Sequence, residues 1–297
     1  MVYLIDASVY VFRAYYSMPP DMRDGDGNPV HALYGFARFL GDLLEREKPE
    51  YIAVAFDASL STSFRNQIYP PYKANREPAP PDLALQFERC RAFCERLGVQ
   101  WFDSPEFEAD DIIGSLCTLM RAEGLRTTIV TRDKDLAQLI GPGDVYWDYA
   151  GNIRYYHDQI AERFGVEPGR YADYLALTGD AVDNIAGVPG IGPKTATALM
   201  RHFDSLEDLY ERVDTVRDLP LRGAASLVEK LRAHRATAFL ARELTRIRCD
   251  MPLPVMREHL RRRQPDLSGI DTFCAGNGFG ALLRRQAERL GLGRSPV

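Results

Sequence analysis

The chain has 297 residues, 45% hydrophobic and 27% charged, with a net charge of −5. That length supports one large domain or two smaller ones, and that composition excludes a disordered or fibrous chain. No apolar run approaches the roughly 18 residues of a spanning helix, and the sequence enters MVYLIDAS without a basic leader, so a cytoplasmic protein with no membrane contact is expected.

In chain order, VYLID (2–6), YIAVAFD (51–57), VQWFD (99–103) and TTIVTRD (127–133) read as strands. Between them, helical periodicity runs through HALYGFARFLGDLLERE from His31, DLALQFERCRAFCERLG from Asp82 and ADDIIGSLCTLMRAEG from Ala109. The alternation predicts an α/β fold with a mostly parallel central sheet flanked by helices. Ligands gather at the carboxyl ends of the strands in such sheets. Here the four runs end in aspartate, at Asp6, Asp57, Asp103 and Asp133.

Residues 59–81, SLSTSFRNQIYPPYKANREPAPP, break the rhythm. A connection this long is either an idle surface loop or functional. Arg65, Lys73 and Arg76 interleaved with Phe64, Tyr69 and Tyr72 suit a segment that stacks on and grips single-stranded nucleic acid.

From about residue 155 the strand patterns stop. YADYLALTGD, TATALMRHF, SLEDLYERV, AASLVEKLRAHRATAFLARELTRI and FGALLRRQAERL read as helices of a second domain, dividing the chain into 1–160 and 161–297, with a tail GLGRSPV expected to fray. Residues 1–183 hold 18 basic against 29 acidic side chains, and 184–297 hold 19 against 13. An acidic cluster for metal ions followed by a basic region for phosphates gives this split, and so does ordinary variation in surface charge. The five cysteines, Cys90, Cys94, Cys117, Cys249 and Cys274, have neither disulfide nor zinc spacing and are expected to be reduced core thiols.

Asp6 and Asp57 follow strands, FEADD supplies Glu108, Asp110 and Asp111, TRDKD supplies Asp133 and Asp135, and TGDAVD supplies Asp180 and Asp183. Each group has an ordinary reading as helix-start acids, turn formers or caps. Together, nine carboxylates in one cleft demand cations, and hard divalent ions suit oxygen ligands. A pair of such ions activates water and clamps an in-line displacement at phosphorus, which points to phosphodiester hydrolysis.

GVPGIGPKTA, within the turn 185–196, resembles a helix-hairpin-helix turn. Gly187, Gly190 and Gly192 let backbone approach a phosphate, while Lys194 and the N–H groups from Thr195 onward bind it regardless of base sequence. It is not a P-loop, since Pro193 separates Gly192 from Lys194 and no strand precedes it. A plain glycine-capped loop between helices stays open for this stretch, and GNGFG at 276–280 is too short a signal for dinucleotide binding.

LIDAS with Arg13 downstream, AFDA, FR followed by YKANR, FEADDIIG, TRDKDLAQL and TGDAVDNIAGVPGIGPKTA resemble, in order, the motifs of the 5′ nuclease (flap endonuclease) family. In particular they are similar to the 5′ to 3′ exonuclease domain of bacterial DNA polymerase I, and either a free-standing nuclease or that domain cut at its boundary is expected. The likeness runs from Val2 to about Leu283. It implies a PIN-like α/β nuclease core, a helical arch over about 59–81 and a helix-three-turn-helix DNA-binding region.

By that resemblance, Asp6, Asp57, Glu108, Asp110 and Asp111 hold one Mg²⁺ and Asp133, Asp135, Asp180 and Asp183 a second, with Mn²⁺ able to substitute. Lys73, Arg76 and Arg13 join the chemistry, Tyr72 stacks on a base, and K⁺ sits in the 187–192 turn. The expected substrate is DNA with 5′ single-stranded flaps or ends, RNA primers included, cut by a monomer in replication and repair. The rival readings are a non-catalytic binder of branched DNA and a metal-dependent ribonuclease, the latter leaving the glycine turn unexplained.

Overall fold

The computed structural model describes residues 1–58 and 62–292; residues 59–61 of the arch segment and the last five of the tail, including the end of GLGRSPV, lie outside them. A six-stranded sheet organises the first half. Its strands are β1 (Val2–Asp6), β2 (Tyr51–Ala55), β3 (Gln100–Phe102), β4 (Thr127–Val130), β5 (Val145–Asp148) and β6 (Ile153–Tyr156), in the order β3-β2-β1-β4-β5-β6. All neighbours are parallel except β5 and β6. Central strands covered on both faces must be apolar almost throughout, and YIAVA of β2 is buried along its whole length.

One face of the sheet is covered by α1 (Ala7–Ser17), α2 (His31–Glu47) and, beyond the five-residue α3 (Phe64–Ile68), by α4 (Pro81–Arg96). The other is covered by α5 (Ala109–Ala122) and α6 (His157–Phe164). The amphipathic pattern from His31 predicts α2 to the residue, because its apolar side chains recur at helical spacing and nearly all are buried.

Three readings need correction. First, the sheet has two strands beyond the four predicted, β5 and β6, which form a hairpin, and past residue 155 a two-residue ladder joins β7 (Gly179–Asp180) to β8 (Ile185–Ala186) in the helical part. Second, a further helical unit contains α7 (Tyr171–Thr178), α8 (Pro193–His202), α9 (Leu206–Glu211), α10 (Ala224–Ala233) and α11 (Arg235–Thr245). The pattern from Ala224 breaks at His234, so that Leu227, Val228 and Leu231 of α10 and Ala238 of α11 enter one core.

Third, the chain then leaves that unit. Residues around Ile247–Leu260 cover the α5 face of the sheet, and α12 (Leu267–Gly276) and α13 (Ala281–Leu292) pack on α4 and α2, burying Ile270, Phe273 and Leu283 in the first core. The C-terminal 161–297 is therefore not one helical domain. Cys90, Cys94, Cys117 and Cys274 are buried thiols and Cys249 is half-buried. Among the described residues, no helix is long and apolar enough to cross a membrane.

Candidate active site

The strand order reverses at β1, between β2 and β4, which opens a crevice at their carboxyl ends. Asp6, Asp57 and Asp133 all emerge there. A cleft of about 250 Å³ opens above them, lined also by Glu108 and Asp110 from the start of α5, by Asp135, and by Asp183 from the β7–β8 turn.

Local hydrogen bonds fix most of these groups. Asp6 is 3% exposed and its Oδ2 accepts the Thr131 hydroxyl at 2.8 Å. Thr131 in turn accepts the Asp133 amide at 2.9 Å, so one threonine positions carboxylates on two strands. Asp57 Oδ1 accepts the Ala109 amide at 2.8 Å, where the positive end of α5 favours an anion. Asp133 Oδ1 accepts the Asp135 amide at 2.9 Å, and Asp135 Oδ1 is buried without a hydrogen-bond partner among the described residues.

The cleft has two electrostatic halves. At its edge, Lys73 Nζ donates to Glu108 Oε1 at 2.8 Å, Arg76 pairs with Asp183, and the Tyr72 hydroxyl donates to Glu108 at 3.0 Å. Burial opposes ionisation of Glu108, yet Lys73 and Arg65 outweigh it and hold its carboxyl below the usual range. The floor is not neutralised. Burial, then the charges of Asp57 and Asp133, pushes Asp6 up to about 8. Burial and like charges also raise Asp110 and Asp135, and burial raises Asp133.

Several residues singled out in the sequence lie elsewhere. Asp111 is fully buried and faces away from the cleft, taking two hydrogen bonds from Arg65. Asp110 and Asp111 are about 100° apart around α5, so only one of them faces the floor. Arg65 lies in the cleft wall, 3.5 Å from Glu108, but it is buried, and its guanidinium is committed to Asp111 and to the carbonyls of Leu244 and Arg246 rather than free to grip DNA. Asp180 is buried against Lys134 Nζ at 3.0 Å and does not line the cleft.

Arg13 is exposed and faces a separate groove with Tyr10 and Tyr149, and Asp103 pairs with Arg91 at 3.5 Å. Tyr72 is 3% exposed, so its ring offers no face to a base in this arrangement. In the described part of the arch segment, α3 is the one helix before a run of turns that lies down on the cleft. Lys73 N donates to Asp183 O at 3.0 Å, and Asn184 Nδ2 donates to Pro71 O at 2.7 Å. Thr131, Lys134 and Asn184 were missed, although the first two sit inside TRDKD.

Beyond Asp183 the chain enters the glycine turn through β8. A Cβ on Gly187 would fall 2.3 Å from Gly179 N, so glycine there lets the turn lie against the end of α7. Gly190 has φ +82 beneath the Lys230 ammonium. Gly192 precedes Pro193 at the start of α8, with nothing within 4 Å of its would-be Cβ. Lys194 is exposed beside it, and Lys194 and Thr195 fall in the first turn of α8, where helix N–H groups have no intrahelical partner.

Residues 1–165 match the family described as 5′-3′ exonuclease, N-terminal resolvase-like domain, and residues 166–268 match 5′-3′ exonuclease, C-terminal SAM fold. The thermostable DNA polymerase I of Thermus filiformis is 38% identical over 282 residues, 95% of this chain but 32% of the relative, so the chain spans about a third of that protein. The 5′-3′ exonuclease of Buchnera aphidicola subsp. Acyrthosiphon pisum is 33% identical over 279 residues, 94% of each chain. A solved structure of T5 5′-exonuclease with bound divalent metal ions (zinc) has the same fold, with a TM-score of 0.67 at 18% identity and 97% of both chains covered.

Proposed function

The chain belongs to the 5′-3′ exonuclease family, and from that premise we propose that it is a divalent-metal-dependent nuclease that hydrolyses DNA phosphodiesters at 5′ ends and 5′ flaps. The observation that carries the reading is the floor of Asp6, Asp110, Asp133 and Asp135. Buried carboxylates repelling one another, with one oxygen orphaned, need positive charge from outside the chain.

Among the described residues, no three carboxylate, histidine or cysteine side chains are placed to hold one ion directly. Mg²⁺ takes one or two carboxylates directly and keeps several waters. Asp6, Asp110, Asp133 and Asp135, with Asp57, Glu108 and Asp183 at the rim, are the residues that hold it in this proposal. Bound Mg²⁺, with Mn²⁺ as substitute, supplies Lewis acidity that lowers the pKa of water and stabilises charge at phosphorus.

The chain's own residues do the rest. Lys73 and Arg76, already over the cleft, exchange Glu108 and Asp183 for the non-bridging oxygens of the scissile phosphate and stabilise the charge developing there. Asp57, tied to the start of α5, and Asp6, tied to Thr131, hold the floor rigid. The 187–192 turn with Lys194 and Thr195 grips duplex backbone, and a K⁺ among its carbonyls is part of the proposal. RNA primers as alternative 5′ strands, a monomeric state and a cytoplasmic place of action complete the proposal.

The test is digestion of 5′-labelled flap, nicked and blunt duplexes with Mg²⁺ and with Ca²⁺. Turnover with Mg²⁺ that is lost in Asp135→Ala and Asp183→Ala, while DNA binding in Ca²⁺ persists, is expected. Binding without turnover in any divalent ion, or an Asp183→Ala protein that cuts at the wild-type rate, overturns it.

A further inference from the structure

Lys134 opens a short 3₁₀-helix, Lys134–Leu139, and falls between Asp133 and Asp135, which both line the cleft. Lys134 itself does not line it; its Nζ donates to Asp180 Oδ2 at 3.0 Å. Asp180 Oδ1 accepts the Val182 amide at 2.8 Å, so both oxygens of this buried carboxylate are engaged. Three residues on, Asp183 does line the cleft. The β7–β8 turn therefore carries one acid into the site and holds another against a lysine.

The charge around that lysine is unbalanced. Asp135 Oδ1 is buried with no hydrogen-bond partner among the described residues. Burial and Asp133 push the Asp135 carboxyl up, Lys134 pulls it down, and Asp180 and Asp183 push it further up. One cation therefore serves Asp135 and Asp180 together, and both acids favour the charged form of Lys134. Neighbouring cations are engaged elsewhere: Arg132 pairs with Asp148 at 3.3 Å and Lys73 with Glu108 at 2.8 Å. The Lys134 side chain is 48% exposed against 5% for Asp180. A flexible stem ending in a compact charge can swing into water while the carboxylate stays in place, and an ion pair this open is weak enough to exchange.

We propose that Lys134 is a resident counter-ion: its ammonium holds Asp180 in the metal-free protein, and a divalent ion binding at the Asp135 and Asp183 end of the cleft has to displace it. Lys134 thereby sets the affinity for that ion. The inference rests on the reading of the cleft as the metal site of a nuclease. In this role Lys134 is a positioning residue, acting through Asp180 and touching no substrate. It differs from Lys73, whose ammonium lies over the cleft against Glu108.

The test is calorimetric titration of metal-free protein with Mn²⁺ alone. Wild-type protein is expected to bind two ions, the second more weakly. Lys134→Met is expected to bind that second ion about fivefold more tightly, the worth of an ion pair this exposed. Lys134→Arg, which keeps the charge, is expected to stay within about twofold of wild type. In an Asp180→Asn background the gain from Lys134→Met is expected to fall below about twofold. An undiminished gain in that background means that Lys134 acts by net charge alone and overturns the inference. So does unchanged or weaker binding of the second ion by Lys134→Met, or a single ion bound by both proteins. Wild-type protein that cuts flaps in Mg²⁺ while its ion affinities ignore Lys134 defeats this inference alone. Ion affinity that depends on Lys134, without cutting in any divalent ion, defeats the nuclease reading alone.

Discussion

Arg65 and Asp111 form an ion pair sealed inside the protein, with two hydrogen bonds of 2.6 and 2.8 Å and side chains 3% and 0% exposed. The pair ties α3 to the start of α5, and the Arg65 bonds to Leu244 and Arg246 tie both to the end of α11. Removing one partner leaves a buried charge uncompensated, which costs about 3–5 kcal/mol. Asp111→Asn is therefore expected to lower stability by that order in denaturant titration while metal affinity below its unfolding transition stays near wild type. Asp110→Asn is expected to do the reverse. An equal loss of metal affinity in both variants would return Asp111 to the ligand set that the family resemblance implies.

The acidic floor gives the metal-free protein a pH dependence with a definite sign. Burial and the charges of Asp57 and Asp133 raise Asp6 to about 8 in the folded state, against about 3.9 in an unfolded chain. Between those values the folded protein holds a proton that the unfolded chain has lost. The stabilisation is fully present below about pH 4 and is lost as pH rises through about 8. In EDTA, wild-type protein should lose more stability between pH 6 and pH 8.5 than Asp6→Asn, and added Mg²⁺ should narrow that difference. Parallel melting curves for the two proteins across this range would contradict the assignment.

Much of this arrangement was legible in the residues. Central parallel strands are apolar because both faces are covered, so VYLID, YIAVA and TTIV declare themselves, and each leads to an acid of the crevice. The hairpin of β5 and β6 was harder to see. IRYY of β6 is an edge strand exposed to solvent, and at four residues it is too short for its strand-favouring Ile and Tyr side chains to show a period. α1 was missed because ASVYVFRAYYS is rich in β-branched and aromatic residues, which tertiary packing rather than intrinsic propensity holds helical. The opposite directions of Asp110 and Asp111, and the burial of Arg65, depend on helix rotation and on a carbonyl 179 positions away. No local pattern carries that information.

Lys73 has φ +55, a left-handed conformation, and its amide donates to Asp183 O. For a residue with a Cβ this geometry costs about 1–2 kcal/mol. The strain holds the ammonium over the cleft, so backbone and side chain are separable. Lys73→Ala and Lys73→Gly should both lower kcat on a saturating flap substrate by roughly 10²–10³. The glycine variant should be the more stable of the two by about 1 kcal/mol. Similar melting temperatures for the pair would mean that the left-handed turn relaxes once the lysine is gone.

The glycine turn separates folding from ligand approach within a few residues. Alanine at 187 would place a methyl 2.3–2.5 Å from the backbone of Leu177, Thr178 and Gly179, and backbone cannot yield as a flexible side chain can. Gly187→Ala should therefore destabilise the protein and shift the β7–β8 ladder that carries Asp183, impairing cleavage even where the fold survives. Gly192→Ala meets nothing within 4 Å and, at φ −96, adopts no strained backbone. Its methyl faces only the space in front of α8, where a phosphate approaching Lys194 and Thr195 has to come. The expected outcome for Gly192→Ala is an unchanged melting temperature with weaker binding to flapless duplex. Wild-type duplex affinity in that variant would show that the turn packs the helical unit together and takes no part in gripping DNA.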